Sequence, residues 1–232
     1  FNISLKQVRV HIKIMCSFLV CNDYGIEMKF LLFIVLFVLT SCSKPLSPED
    51  ELKQMLSDDS EYTRIIKRHG FKIKATYLPM RYFYLRERTA VADSVFTEQT
   101  ETEIQEKIQN YYSNGLYFIV NLSFEDNDKD ILNATSKHFG EWSANLQKFL
   151  FKMNDYIYLE TTQHKEIKLS VYDFQRTFGY TKDRSMILSF PKTFNNKEIL
   201  SDESEFLRMH FKEWGWNIGR SSVKWEIDDL NN

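Results

Sequence analysis

From residue 47 onward the apolar positions fall into readable periods. Ser47-Pro48-Glu49-Asp50 reads as a helix start, with a serine N-cap, proline in the first turn and acids against the dipole. Leu52, Met55 and Leu56 follow at helical spacing. Asp58-Asp59-Ser60 then predicts a second helical set carrying Tyr62, Ile65 and Ile66, closed by Lys67, Arg68, His69 and a C′ Gly70. Residues 71–77 (FKIKATY) alternate strictly and predict a half-buried strand. Pro79 ends it and opens a short helix through Arg88. Ile104, Ile108, Tyr111 and Tyr112 predict an amphipathic helix over 98–112, stopped by Asn114-Gly115. Residues 116–124 (LYFIVNLSF) predict a central strand.

The clearest helical stripe is Phe139, Trp142, Leu146, Phe149, Leu150 and Met153, although Gly140 weakens its first turn. Beyond Asp155 the pattern turns to strands at 156–160, 167–174, 185–190, 206–214 and 223–227, joined by polar linkers. On the strand over 206–214 the odd positions Leu207, Met209 and Phe211 are the apolar face. Helices first and strands afterwards predict an α+β fold: N-terminal helices packed on a mainly antiparallel β-sheet or meander. No internal repeat and no Pro-, Gly- or Ser-rich linker divides the chain after residue 48, which predicts one domain over 49–232.

A different pattern precedes it. Met28-Lys29 leads into ten consecutive apolar residues, Phe30–Leu39, followed by Thr40, Ser41 and Cys42. A charged start, a short apolar core and small residues before a cut describe a secretory signal peptide. As a helix the run spans about 15 Å, half a bilayer's hydrocarbon core, so it predicts a cleaved leader rather than a permanent span. Leu39-Thr40-Ser41-Cys42 resembles the lipobox of bacterial lipoproteins. The resemblance implies that Cys42 receives a diacylglyceryl thioether, is acylated on its amine and becomes the first residue of the mature chain. It divides the sequence into an upstream extension (1–27), a signal peptide (28–41), a lipidated tether (42–48) and the domain. Met28 is the better initiator, because Asp23 and Glu27 would burden a leader that began at Met15.

Composition narrows the chemistry. The 232 residues include only 7 glycines and 4 prolines, which excludes collagen and low-complexity sequence. The net charge is −2, and −4 for the part beyond Cys42, so no basic field suggests nucleic acid. Cys16 and Cys21 precede Cys42 and no cysteine follows it, so the domain carries no disulfide, thiol nucleophile or cysteine metal site. No phosphate loop, G-x-S-x-G or H-E-x-x-H occurs, and the sequence implies no cofactor.

The remaining candidates are sparse. His138 and Glu141, i and i+3 on a helix, could share a metal, although a boundary histidine beside a solvated acid accounts for the pair equally simply. His210 and Glu213 have the same spacing in a strand, where it points them to opposite faces. The run Glu125–Asp130 reads as a solvated loop. Asp93-Ser94-Val95 resembles a short acceptor of periplasmic O-glycosylation. Aromatics make up 15% of the chain. Trp214 and Trp216, with Trp225 on the next strand, could form a platform for a sugar, or Trp214 and Trp225 could face inward. Three functions follow in order. The first is a lipid-anchored, non-catalytic cell-envelope module that binds an envelope protein partner or serves as a structural module of an assembly, with the outer membrane as its expected location. The second is a glycan-binding lipoprotein, and the third a hydrolase without a recognisable motif.

Overall fold

The computed structural model describes residues 46–126, 129–175, 182–201, 203–213 and 219–230. Helix α1 (Pro48–Met55) starts as its sequence dictates, the Ser47 hydroxyl accepting from the Asp50 N–H at 3.1 Å. The second predicted helical set does not form. Residues Thr63–Arg68 are strand β1, paired antiparallel with β2 (Phe71–Leu78). His69 and Gly70 both have positive φ, 52° and 80°, and join Arg68 to Phe71 in a two-residue hairpin. A histidine and glycine placed to close a helix are equally suited to a type I′ turn, whose two central residues need positive φ. Adjacent Ile65 and Ile66 favour the strand.

Pro79 leads into α2 (Met80–Thr89), and Thr97 caps α3 (Glu98–Tyr112). Strand β3 (Gly115–Phe124) follows, then the short α4 (Ile131–Ala134) and α5 (Phe139–Phe151). The remaining strands are β4 (Ile157–Thr161), β5 (Ile167–Lys168), β6 (Val171–Phe174), β7 (Arg184–Pro191), β8 (Thr193–Phe194), β9 (Lys197–Glu198), β10 (Phe206–Phe211) and β11 (Ser221–Glu226), with a final turn α6 (Ile227–Leu230).

The strands do not form one meander. They build a five-stranded sheet, β1-β2-β3-β7-β6, and a four-stranded sheet, β11-β10-β4-β5, both antiparallel throughout. The single strand predicted over 167–174 breaks at Leu169-Ser170. Its first part pairs with β4 and its second with β7, so the chain turns a corner between the sheets. The small β8–β9 hairpin turns through Asn195 and Asn196, both at positive φ.

The inner faces of the two sheets form one core. Ile73, Ala75, Phe118, Val120, Met186 and Leu188 come from the first, and Ile157, Leu159, Leu207, Met209, Phe211 and Trp225 from the second. Phe118 and Trp225 meet across it with ring centroids 5.5 Å apart. The apolar face read in β2 and the odd face of β10 are the faces that are buried, and β3, read as a central strand, lies between β2 and β7. At the sheet edges, Arg64 donates to the Lys224 carbonyl at 2.9 Å and Arg68 to that of Arg220 at 2.8 Å, tying β1 to β11 and its approach. A second, smaller core joins α2 and α3 to the other face of the first sheet through Leu78, Phe83, Ile104 and Ile108, backed by Tyr117 and Ile119. The fold is therefore α+β, with the extra sheet as the main departure from expectation. Residues from Leu46 onward cluster as one compact unit. Among the described residues no helix is long and apolar enough to cross a membrane.

Candidate functional site

The described surface carries an aromatic groove with a polar wall. It lies where α4 passes into α5 and is lined by Asn133, Ser136, Lys137, His138, Phe139 and Trp142, with a volume of about 390 Å³. The local sequence builds it in steps. Asp130 caps α4 by accepting from the Asn133 N–H at 3.0 Å. Thr135 and Ser136 then fold back onto the carbonyls of Ile131 and Leu132, both at 2.6 Å, and end that helix. His138 starts α5 as its N-cap: Nδ1 accepts from the Glu141 N–H at 3.3 Å. Glu141 reaches back in turn, accepting from the Lys137 N–H at 2.7 Å, a reciprocal cap of the capping-box kind. A Cβ at Gly140 would lie 3.2 Å from His138 Nδ1, so the glycine that weakens the helix also makes room for the capping ring.

His138 and Glu141 are thus brought together, but as a helix cap. Their side chains approach only to 3.7 Å, both largely exposed. Among the described residues no group of three or more His, Cys, Asp and Glu is placed to hold a metal ion.

The stripe of α5 is only partly core. Phe149 is buried, Trp142, Leu146 and Leu150 are half-buried, and Phe139 is 79% exposed. Phe139 and Trp142 stack with centroids 5.8 Å apart and planes 19° from parallel. Periodicity places both rings on one stripe, but it does not reveal that Trp142 packs against the core while Phe139 is left in water.

Trp225 corrects the sequence reading. It is fully buried, and its indole N–H donates to the Tyr62 carbonyl at 2.8 Å. Its ring therefore offers no face to a ligand. Trp214, Trp216 and Cys42 lie outside the described residues.

A second constellation, which sequence reasoning missed, sits on the outer face of the four-stranded sheet. Glu160 is the centre. His210 Nε2 lies 2.7 Å from its carboxylate, Lys165 Nζ 3.3 Å and Arg208 Nη1 3.4 Å. Burial alone would raise the Glu160 carboxyl, but the hydrogen bonds from His210 and Lys165 outweigh it and hold the group below the usual carboxylate range. Tyr158 stacks on His210 at 4.6 Å and 5°, and Lys212 lies over Tyr158. Lys165, Arg208 and the His210 ring around one carboxylate make a polar node that links β10 to β4 and the turn after it. A lone acid in a strand gives no sequence signal for such a node. Glu213 is not part of it and accepts from the Gly219 N–H instead.

The run Glu125–Asp130 is not uniformly solvated. Asp130 pairs with Arg184 of β7, the two side chains only 13% and 10% exposed. The triplet Asp93-Ser94-Val95 forms an exposed 3₁₀ turn, with Arg88 held to Asp93 at 2.5 Å.

No family model and no curated protein matches this chain. Among solved structures it is similar to a novel protein of unknown function from Burkholderia pseudomallei K96243, at 12% identity and a TM-score of 0.35, over 79% of this chain and 83% of that one. At that level the likeness carries no argument.

Proposed function

We propose that the chain is a lipid-anchored cell-envelope protein, held at the outer membrane through Cys42, whose domain acts by binding a partner rather than by catalysis. The observation that carries the reading is the junction between leader and domain. The lipobox-like Leu39-Thr40-Ser41-Cys42 ends four residues before Leu46, where the compact unit begins, and Ser47 already caps its first helix. A lipid on Cys42 would hold the domain against the bilayer by a tether too short to let it roam. Two or more acyl chains anchor stably, at about 0.8 kcal/mol per buried CH₂, where one chain anchors only marginally.

Binding is favoured over catalysis by what the surface offers. The aromatic groove at α4–α5 is lined by a cap histidine and by amide, hydroxyl and ammonium groups. The tightest acid–histidine contact, Glu160 with His210, is locked between Lys165 and Arg208 on a sheet face.

Metabolic labelling with an alkynyl palmitate tests the reading. The wild-type chain should take up label and stay with membranes after carbonate extraction. Cys42→Ala should lose both properties. Label on the Cys42→Ala chain, or none on the wild type, would refute the anchor.

A further inference from the structure

We infer that the Phe139–Trp142 groove is a carbohydrate site that takes a pyranose ring face-on. The inference rests on the binding reading above and gives it a ligand class. Phe139 is 79% exposed, although it lies on the same helical stripe as the buried Phe149. Phe139 stacks on Trp142 with planes 19° from parallel, and most of the Phe139 ring is left in water. The rest of the wall is polar: Asn133, Ser136, Lys137 and His138.

An exposed aromatic face with hydrogen-bonding groups beside it matches one ligand chemistry closely. A pyranose shows C–H groups on its faces and hydroxyls around its rim. Binding sites combine an apolar lining with a few placed polar groups in this way. The polar groups also differ in how free they are. The Ser136 hydroxyl is committed, donating to Leu132 and accepting from Asn145 at 3.2 Å. The Glu141 N–H donates to His138 Nδ1, and Nε2 lies 3.7 Å from the Glu141 carboxylate, so the ring belongs to the cap. Asn133 offers a donor and an acceptor, Lys137 offers donors, and hydroxyls answer both. The amide groups of the helix N-terminus are not what would bind, because His138 and Glu141 already serve as the cap.

The test uses the full chain in detergent micelles on an array of short neutral hexose and N-acetylhexosamine oligosaccharides, followed by titration calorimetry with the strongest hit. The wild type should bind at least one class. Phe139→Ala and Trp142→Ala should each weaken binding by roughly three- to tenfold, with Trp142→Phe in between. Phe139→Ala should melt with the wild type, since its ring is exposed, and this separates loss of binding from loss of fold. Cys42→Ala should bind as the wild type does, so a failed anchor and a failed site give different results. No binding on the array, or binding that Phe139→Ala leaves intact, overturns the inference. Vesicles of phosphatidylethanolamine and phosphatidylglycerol are run beside the array. Capture of the Cys42→Ala chain by them in place of sugars, abolished by Phe139→Ala, overturns it too.

Discussion

Trp225 gives the sharpest test of the two-sheet core. Its side chain is fully buried, it meets Phe118 of the opposite sheet, and its N–H is spent on the Tyr62 carbonyl. Trp225→Ala removes the largest fully buried side chain and opens a cavity between the sheets. Such truncations cost about 3–5 kcal/mol. For a domain of this size 1 kcal/mol shifts the melting temperature by about 2–4 °C, so the variant should melt about 6–20 °C lower. Trp225→Phe separates packing from hydrogen bonding. It keeps most of the apolar volume and loses the N–H. The Tyr62 carbonyl still accepts from the Tyr77 N–H at 3.0 Å, so it is not left bare. The hydrogen-bond part of the loss should therefore stay near 1 kcal/mol. Urea unfolding followed by far-UV circular dichroism measures both variants on one scale. A Trp225→Ala midpoint within about 1 kcal/mol of the wild type would refute the packing argument and return Trp225 to the surface.

Three further outcomes follow from other contacts. Asp130→Ala should destabilise by about 3 kcal/mol or more, because it removes the carboxylate facing the nearly buried Arg184 as well as the cap of α4, and Asp130→Asn, which can still cap, should cost less but still about 2 kcal/mol or more; an Asp130→Asn loss near zero in urea titration would contradict the ion-pair reading. Hydrogen bonds from Lys74 and Lys72 hold the Asp58 carboxyl down to about 2, so its contribution is present above about pH 4 and is lost as the pH falls toward 2. With that side chain half exposed the contribution should not exceed about 1 kcal/mol, and a carboxyl resonance of Asp58 titrating near its ordinary value would contradict it. Gly70→Ala should cost about 1 kcal/mol from its positive φ alone, since a Cβ there meets nothing within 4 Å; an unchanged melting temperature would mean that the hairpin turn relaxes.

Much of the fold was legible in the sequence, and the misses share a cause. Strict alternation located β2, a nearly continuous apolar run located β3, and the Ser47 cap located α1, because each signal is local. His69-Gly70 has two meanings, a helix stop or a hairpin turn, and only pairing with Phe71–Leu78 decides between them. The break at Leu169-Ser170 is tertiary as well: the local pattern is one strand, and the second sheet divides it. Side-chain roles were less legible than elements. Trp225 is as aromatic as any binding residue, and its burial comes from facing Phe118, far away in the chain. Phe139 sits on a correct apolar stripe, and its exposure is set by tertiary packing that the stripe does not encode. Glu160 draws its partners His210 and Arg208 from about fifty residues away, which no spacing rule reaches. His138 and Glu141 were recognisable as neighbours, but helix capping accounts for their contact without a metal.

The central claim is the lipid anchor at Cys42, and the mature N-terminus tests it most directly. Protein purified from membranes and digested should yield an N-terminal peptide that begins at Cys42 and carries the mass of a diacylglyceryl thioether and an amide-linked acyl chain. An N-terminal peptide that begins elsewhere, or one that begins at Cys42 with a free thiol and free amine, would contradict the account.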